Sequence, residues 1–183
     1  MANYVDNWSI YLALREWKKQ CKFAGRQLPV TDEIGYAIMQ IANNLVRRFN
    51  FCNYTQDWKE AMVGDGIDAC LKGISNFDTD KYTNVYGYIT KACFRAFVQR
   101  IWKERAETAT KYKYFVSHVY DGNDEDMYQM ADEAFIQDIH DKISAFDEAL
   151  ERKKKKPEQE TEPESERTES LPDPDFFTYE NDD

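Results

Sequence analysis

The chain has 183 residues, of which 42% are hydrophobic and 32% are charged, and its net charge is −10 at pH 7. No apolar run is long enough to predict a membrane span or a secretion signal, so we expect a cytoplasmic protein that contacts no membrane. Its four cysteines are then expected to be reduced thiols. The sequence shows no metal-ligand spacing and no pattern of catalytic residues, so we expect no metal, no cofactor and no enzymatic activity.

Charge is distributed unevenly along the chain. Residues 81–115 contain eight basic and two acidic side chains, a net charge of +6. Residues 1–80 carry a net charge of −1, residues 116–150 carry −9 and residues 151–183 carry −6. One basic block inside an acidic protein can bind nucleic acid locally while its flanks suppress non-specific binding.

Two helices are predicted in the first part of the chain. Residues 6–23 show apolar side chains at helical spacing. Thr31 is a favourable N-cap for the second helix. Its apolar side chains recur at helical intervals, which predicts a seam that faces the hydrophobic core. They are Ile34, Ile38, Ile41, Leu45 and Phe49.

Residues 58–74 predict a third helix, followed by a turn at residues 76–78. Its predicted apolar face comprises Val63, Ile67, Cys70, Leu71 and Ile74. Residues 64–69 match the glycine pattern of dinucleotide-binding loops. We reject that interpretation because no strand is predicted before them. An alternative is that Gly64 and Gly66 displace the start of the helix.

Residues 86–105 predict a fourth helix with two distinct rows of side chains. The apolar row is Ile89, Cys93, Phe97 and Ile101. The second row is Lys91, Arg95, Gln99 and Lys103, with aromatic residues nearby. Cations beside aromatic rings suit phosphate neutralisation and base stacking, although an ordinary solvated helix face is the alternative.

The rest of the chain predicts less structure. Residues 111–120 indicate a short helical turn or an extended segment, and residues 121–126 an acidic loop whose spacing does not fit a calcium site. Residues 131–152 predict a last amphipathic helix, and residues 153–170 a flexible charged linker. Beyond it, exposed aromatic side chains favour a partner pocket, with docking onto the chain itself as the alternative.

The order of features in residues 31–115 resembles region 2 of bacterial sigma factors. That family has an acidic residue and a glycine inside an amphipathic helix, then a lysine, a phenylalanine that closes the helix, an aromatic turn and a basic helix. The matching positions are Asp65, Gly66, Lys72, Phe77, Tyr88, Ile89, Thr90 and the basic row. Over its whole length the chain is similar to the late-transcription sigma factors of T-even-type bacteriophages.

The resemblance implies a factor for phage late genes in the infected host cell, which binds bacterial core RNA polymerase and recognises and opens an AT-rich promoter element of the minus-ten type. It implies polymerase contacts at Asp65, Asp68, Leu71 and Lys72, with Gly66 allowing close approach of another helix. It implies promoter DNA contacts at Tyr88, Lys91, Arg95, Gln99 and Lys103. It also implies that Leu171, Phe176, Phe177 and Tyr179 bind a DNA sliding clamp, and that a separate co-activator takes part.

One departure limits what the resemblance implies. Primary sigma factors place two adjacent tryptophans in the helix that melts DNA, and this chain has Lys91 and Ala92 there. Their way of opening the strand is therefore not transferred to this chain.

We predict an all-α fold with one helical domain over residues 1–152, whose sigma-like region is 31–115, a linker over residues 153–170 and a clamp-binding motif over residues 171–183. The alternative function is a helical adaptor that binds polymerase or clamp without reading DNA, and an enzyme is a distant third.

Overall fold

A computed structural model describes residues 5–120 and 133–155. Every regular element in these residues is helical, which confirms the predicted all-α class. The α-helices are α1 (Asn7–Ala24), α2 (Asp32–Val46), α3 (Gln56–Gly73), α4 (Val85–Phe115) and α5 (Glu133–Lys155). Short 3-10 turns, Phe49–Phe51 and Ile74–Asn76, follow α2 and α3, and a π-helical turn, Val116–Tyr120, follows α4. None of the described helices has the length and apolar content to span a bilayer.

The described chain divides into two compact units, and the boundary falls inside α4. The first unit extends to Arg100 and contains α1, α2, α3 and the first half of α4. The second unit begins at Ile101 and contains the rest of α4 and α5. The side chains with predicted polymerase contacts all belong to the first unit, as do those with predicted DNA contacts except Lys103.

Helix α1 has well-formed ends because both of its termini are capped. The Asp6 carboxylate accepts a hydrogen bond from the Ser9 amide at 2.8 Å, and Gly25 adopts the left-handed conformation (φ 64°) that ends the helix. Trp17 is buried, and its indole Nε1 donates to the Pro29 carbonyl at 2.9 Å. That bond ties the loop after α1 to the helix.

The predicted seam of α2 is confirmed at four positions and wrong at the fifth. Ile34, Ile38, Ile41 and Leu45 are all buried. Phe49 is 88% exposed because α2 ends at Val46 and Arg48 is extended (φ −70°, ψ 158°). Phe51 is instead fully buried, with its ring 5.2 Å from that of Phe97 in an edge-on contact. The chain therefore fills the core from the turn after the helix.

The predicted apolar face of α3 is partly wrong. Cys70 and Ile74 are buried as expected, but Leu71 is 37% exposed. Val63 and Ile67 are only half-buried, and the row that faces the core is Met62, Gly66, Cys70 and Ile74. The true face includes a glycine, which a search for apolar residues does not count.

Helix α4 continues beyond its predicted end to Phe115, so the segment predicted as a helical turn or extended chain belongs to α4 and the π-helical turn. In the second unit, Ile136 and Ile139 of α5 are buried, and the rings of Trp102 and Phe146 lie 6.3 Å apart. Because α5 reaches Lys155, the first three residues of the predicted linker are helical. The acidic loop, the rest of the linker and the clamp motif lie outside the described residues.

Candidate nucleic-acid interface

Close contact between α3 and α4 fixes how α4 is presented. A Cβ atom added at Gly66 would lie 2.7 Å from Cε1 of Phe97 and 3.5 Å from Sγ of Cys93, so only glycine fits at this crossing. Helix α3 runs unbroken through Gly64 and Gly66, which excludes the alternative of a displaced helix start. Gly66 thus allows α3 and α4 of this chain to approach each other closely.

Two cysteines complete this contact. Sγ of Cys70 lies 3.4 Å from Sγ of Cys93, and both residues are buried. The hydrogen bond with Cys93 and, second, burial raise the pKa of the Cys70 thiol. All four cysteines of the chain are free thiols, and the Cys70–Cys93 pair serves as apolar filling between the helices.

The first half of α4 presents its two rows of side chains in opposite directions. Ile89, Cys93 and Phe97 are fully buried, whereas Lys91, Arg95 and Gln99 are exposed. The predicted division of this helix is therefore confirmed within the first unit. In the second unit Ile101 is buried, and Lys103 is exposed with its Nζ 4.0 Å from a carboxylate oxygen of Glu107.

The exposed row concentrates positive charge. Partial desolvation and, second, the charge of Arg95 lower the pKa of Lys91. Like charges one helical turn apart destabilise a helix by about 0.2–0.5 kcal/mol. A phosphate is an anion that lysine and arginine both bind well.

Tyr88 has a structural role at the edge of this row. Its hydroxyl donates a 2.8 Å hydrogen bond to the Gly73 carbonyl at the end of α3. Its ring lies 5.1 Å from the Phe77 ring at an interplanar angle of 63°. The side chain is half-buried, so one part packs against the turn and another part reaches the surface.

Helix α1 holds the turn between α3 and α4, a role that the sequence analysis missed. Three of its side chains donate hydrogen bonds to carbonyl groups of that turn: Tyr11 to Thr79 at 3.1 Å, Lys18 to Phe77, and Asn7 to Thr83 at 3.1 Å. The Asn7 side-chain oxygen also accepts from the Tyr86 amide at 2.9 Å, in the first turn of α4. The paired residues are 59 to 79 positions apart in sequence, so no local pattern could have indicated these bonds.

The residues with predicted polymerase contacts all lie on α3. Asp65 is half-buried and lies 3.5 Å from the Arg100 guanidinium, while Asp68 forms an ion pair with Lys72. Leu71 is exposed beside them. The charges of this part of α3 are therefore balanced locally.

No family model matches the sequence, and no curated protein matches it either. The remaining predicted contacts, Leu171, Phe176, Phe177 and Tyr179, lie outside the described residues.

Proposed function

We propose that this chain is an RNA polymerase sigma factor for phage late genes, and that its first unit carries the surfaces for core polymerase and promoter DNA. The observation that carries the proposal is the division of α4. Its apolar row is fully buried against the protein, and its exposed row holds Lys91, Arg95 and Gln99. A rigid helix that displays cations in line is suited to following a phosphate backbone.

The geometry supports separate roles for the two helices. The α3 surface balances its charges through the Asp65–Arg100 and Asp68–Lys72 pairs and exposes Leu71, which suits a protein partner. The α4 surface suits promoter DNA, and the half-buried Tyr88 ring would stack on an opened strand of an AT-rich element. Lys103 belongs to the second unit and is proposed as a separate phosphate contact.

Run-off transcription with purified bacterial core polymerase tests the proposal. Core enzyme with this chain should initiate at an AT-rich late promoter, and core enzyme alone should not. Arg95→Ala should lower the slope of binding affinity against salt by about one unit, since one phosphate contact is lost. A helical adaptor would still bind core polymerase or the clamp, but would give neither initiation nor sequence-dependent binding.

The aromatic tail supplies the proposed link to a DNA sliding clamp. Deletion of residues 171–183 should leave core binding and basal initiation unchanged and should abolish stimulation by a clamp loaded on the same DNA. Phe177→Ala should cause most of that loss, because buried aromatic anchors dominate such contacts. A truncated chain that still responds fully to the clamp would rule out this role for the tail.

A further inference from the structure

The turn after α2 displays an aromatic side chain that is not among the proposed polymerase, promoter or clamp contacts. Phe49 is 88% exposed, at the first position of the Phe49–Phe51 turn. Arg47 and Arg48 precede it, and both are exposed. Neither arginine forms an ion pair with any residue in the described part of the chain.

This turn has a defined conformation that holds Phe49 outward. The Arg48 amide donates to the Leu45 carbonyl at 3.1 Å, and the Phe51 amide donates to the Arg48 carbonyl at 2.9 Å. Phe51 is completely buried and anchors the turn. Because its neighbours in the turn are bonded in this way, the exposed Phe49 ring is held on an ordered backbone.

The anchor of the turn contacts the helix that carries the basic row. The Phe51 ring lies 5.7 Å from the Phe94 ring of α4. Phe94 stands between Lys91 and Arg95 in the sequence of that helix. The two arginines of the turn and the cations of α4 therefore belong to adjoining parts of the first unit.

We propose that Arg47, Arg48 and Phe49 form a second contact for single-stranded DNA, adjoining the Lys91–Arg95 face of α4. The two arginines would bind phosphates and the Phe49 ring would stack on an unpaired base. Stacking on an exposed ring requires a base that is not already stacked in a duplex, so the occupant is the opened strand. This inference rests on the proposed promoter-binding function of α4 and adds a contact for the strand after opening.

The experiment measures binding by the full chain in complex with saturating core polymerase. The probes are an AT-rich promoter duplex with a pre-melted bubble and the same duplex fully paired. Phe49→Ala should weaken binding to the bubble by about 5- to 150-fold, the range for one stacked base, and leave the salt slope unchanged. Arg47→Ala should lower the salt slope on the bubble by about 0.7 unit, the value for a single-strand phosphate contact. At low temperature, where the promoter strands stay paired, both variants should bind the paired duplex as the unchanged chain does.

Phe23→Ala is the matched control, since Phe23 is 97% exposed, follows Lys22 and lies at the end of α1. This substitution should change binding to neither probe.

Affinity for core polymerase is measured separately without DNA. If Phe49→Ala lowers that affinity and leaves bubble binding intact at saturating core, the surface binds polymerase and the inference is wrong. It is also wrong if Arg95→Ala lowers the salt slope while Arg47→Ala and Phe49→Ala change nothing. If Arg95→Ala also has no effect on either probe, both this inference and the proposed DNA-binding function of α4 are wrong.

Discussion

Helices α3 and α4 pack against each other at Gly66 but present different surfaces to solvent. On α3, Asp65 lies next to Arg100 and Asp68 pairs with Lys72, so the exposed charges are balanced. On α4, the exposed row brings Lys91 and Arg95 together with no acidic residue in that row. Ion pairs between exposed side chains contribute only about 0–1 kcal/mol, so a protein partner could replace the Asp68–Lys72 pair at little cost. The contact at Gly66 fixes the position of α3 relative to α4. The exposed charge of each helix then determines which kind of partner that helix suits.

The largest expected effect comes from breaking the contact itself. Gly66→Ala places a methyl group 2.7 Å from the buried Phe97 ring, whereas Gly64→Ala meets nothing within 4 Å. Both substitutions gain about 1 kcal/mol of helix propensity, but only the first overpacks the core, at a cost of about 1–3 kcal/mol. Urea unfolding should therefore show that Gly64→Ala is more stable than Gly66→Ala by the overpacking cost of about 1–3 kcal/mol. Equal free energies of unfolding would show that the helices separate easily at this crossing.

A charge reversal on α3 tests the protein-binding side of the comparison. Asp65→Lys should reduce affinity for core polymerase by about 1–3 kcal/mol, as removal of a well-placed interface residue does. Glu60→Lys is the matched control, because Glu60 is an exposed acid of the same helix outside the predicted set. Co-purification with core polymerase measures binding, and circular dichroism checks that the fold is kept. Equal losses in both variants would point to overall charge rather than to a specific contact.

Tyr88 joins α4 to α3 by a hydrogen bond and is also a predicted DNA contact, and two substitutions separate these roles. Tyr88→Phe removes the hydrogen bond to the Gly73 carbonyl, which should cost about 0.5–1.5 kcal/mol of stability, but it retains the ring. Tyr88→Ala also removes the ring and with it any stacking on an opened strand. Permanganate footprinting should then show normal opening with phenylalanine and impaired opening with alanine. If alanine impairs duplex and pre-melted templates to the same degree, Tyr88 acts only by packing.

The same two helices show why prediction from the sequence succeeded in part. Every member of the apolar row of α4 has an apolar side chain, so its periodicity identified the buried face and, by subtraction, the exposed basic row. The buried row of α3 includes Gly66. Because glycine has no side chain, its close contact with α4 does not show in the pattern of apolar residues. Phe49 was misplaced because its spacing continued the α2 pattern after the helix had ended. The Asn7 contacts join distant segments, which local patterns do not encode.

The smallest expected effect concerns the turn that joins the two helices. The Asp78 carboxylate accepts from the Asp80 amide at 3.0 Å and from the Lys81 amide at 3.3 Å. The Asp80 hydrogen bond, more than that of Lys81, lowers the pKa of Asp78 below its ordinary value. A carboxyl group with a lowered pKa in the folded state stabilises the fold above its unfolded pKa of about 4, and loses that contribution as the pH falls through the lowered value.

Asp78→Asn keeps an oxygen that can accept these bonds but has no charge to lose. The variant should therefore be slightly less stable than the unchanged chain near neutral pH, and the two should converge in acid. Thermal unfolding at neutral pH and at successively lower pH measures the difference in stability between the two proteins, which is small because the Asp78 carboxylate is exposed to solvent. A gap that persists unchanged in acid would mean that the charge of Asp78 does not stabilise the turn. In that case the position of α4 would depend on the Asn7 and Tyr11 hydrogen bonds from α1, and Asn7→Ala would become the substitution that loosens α4.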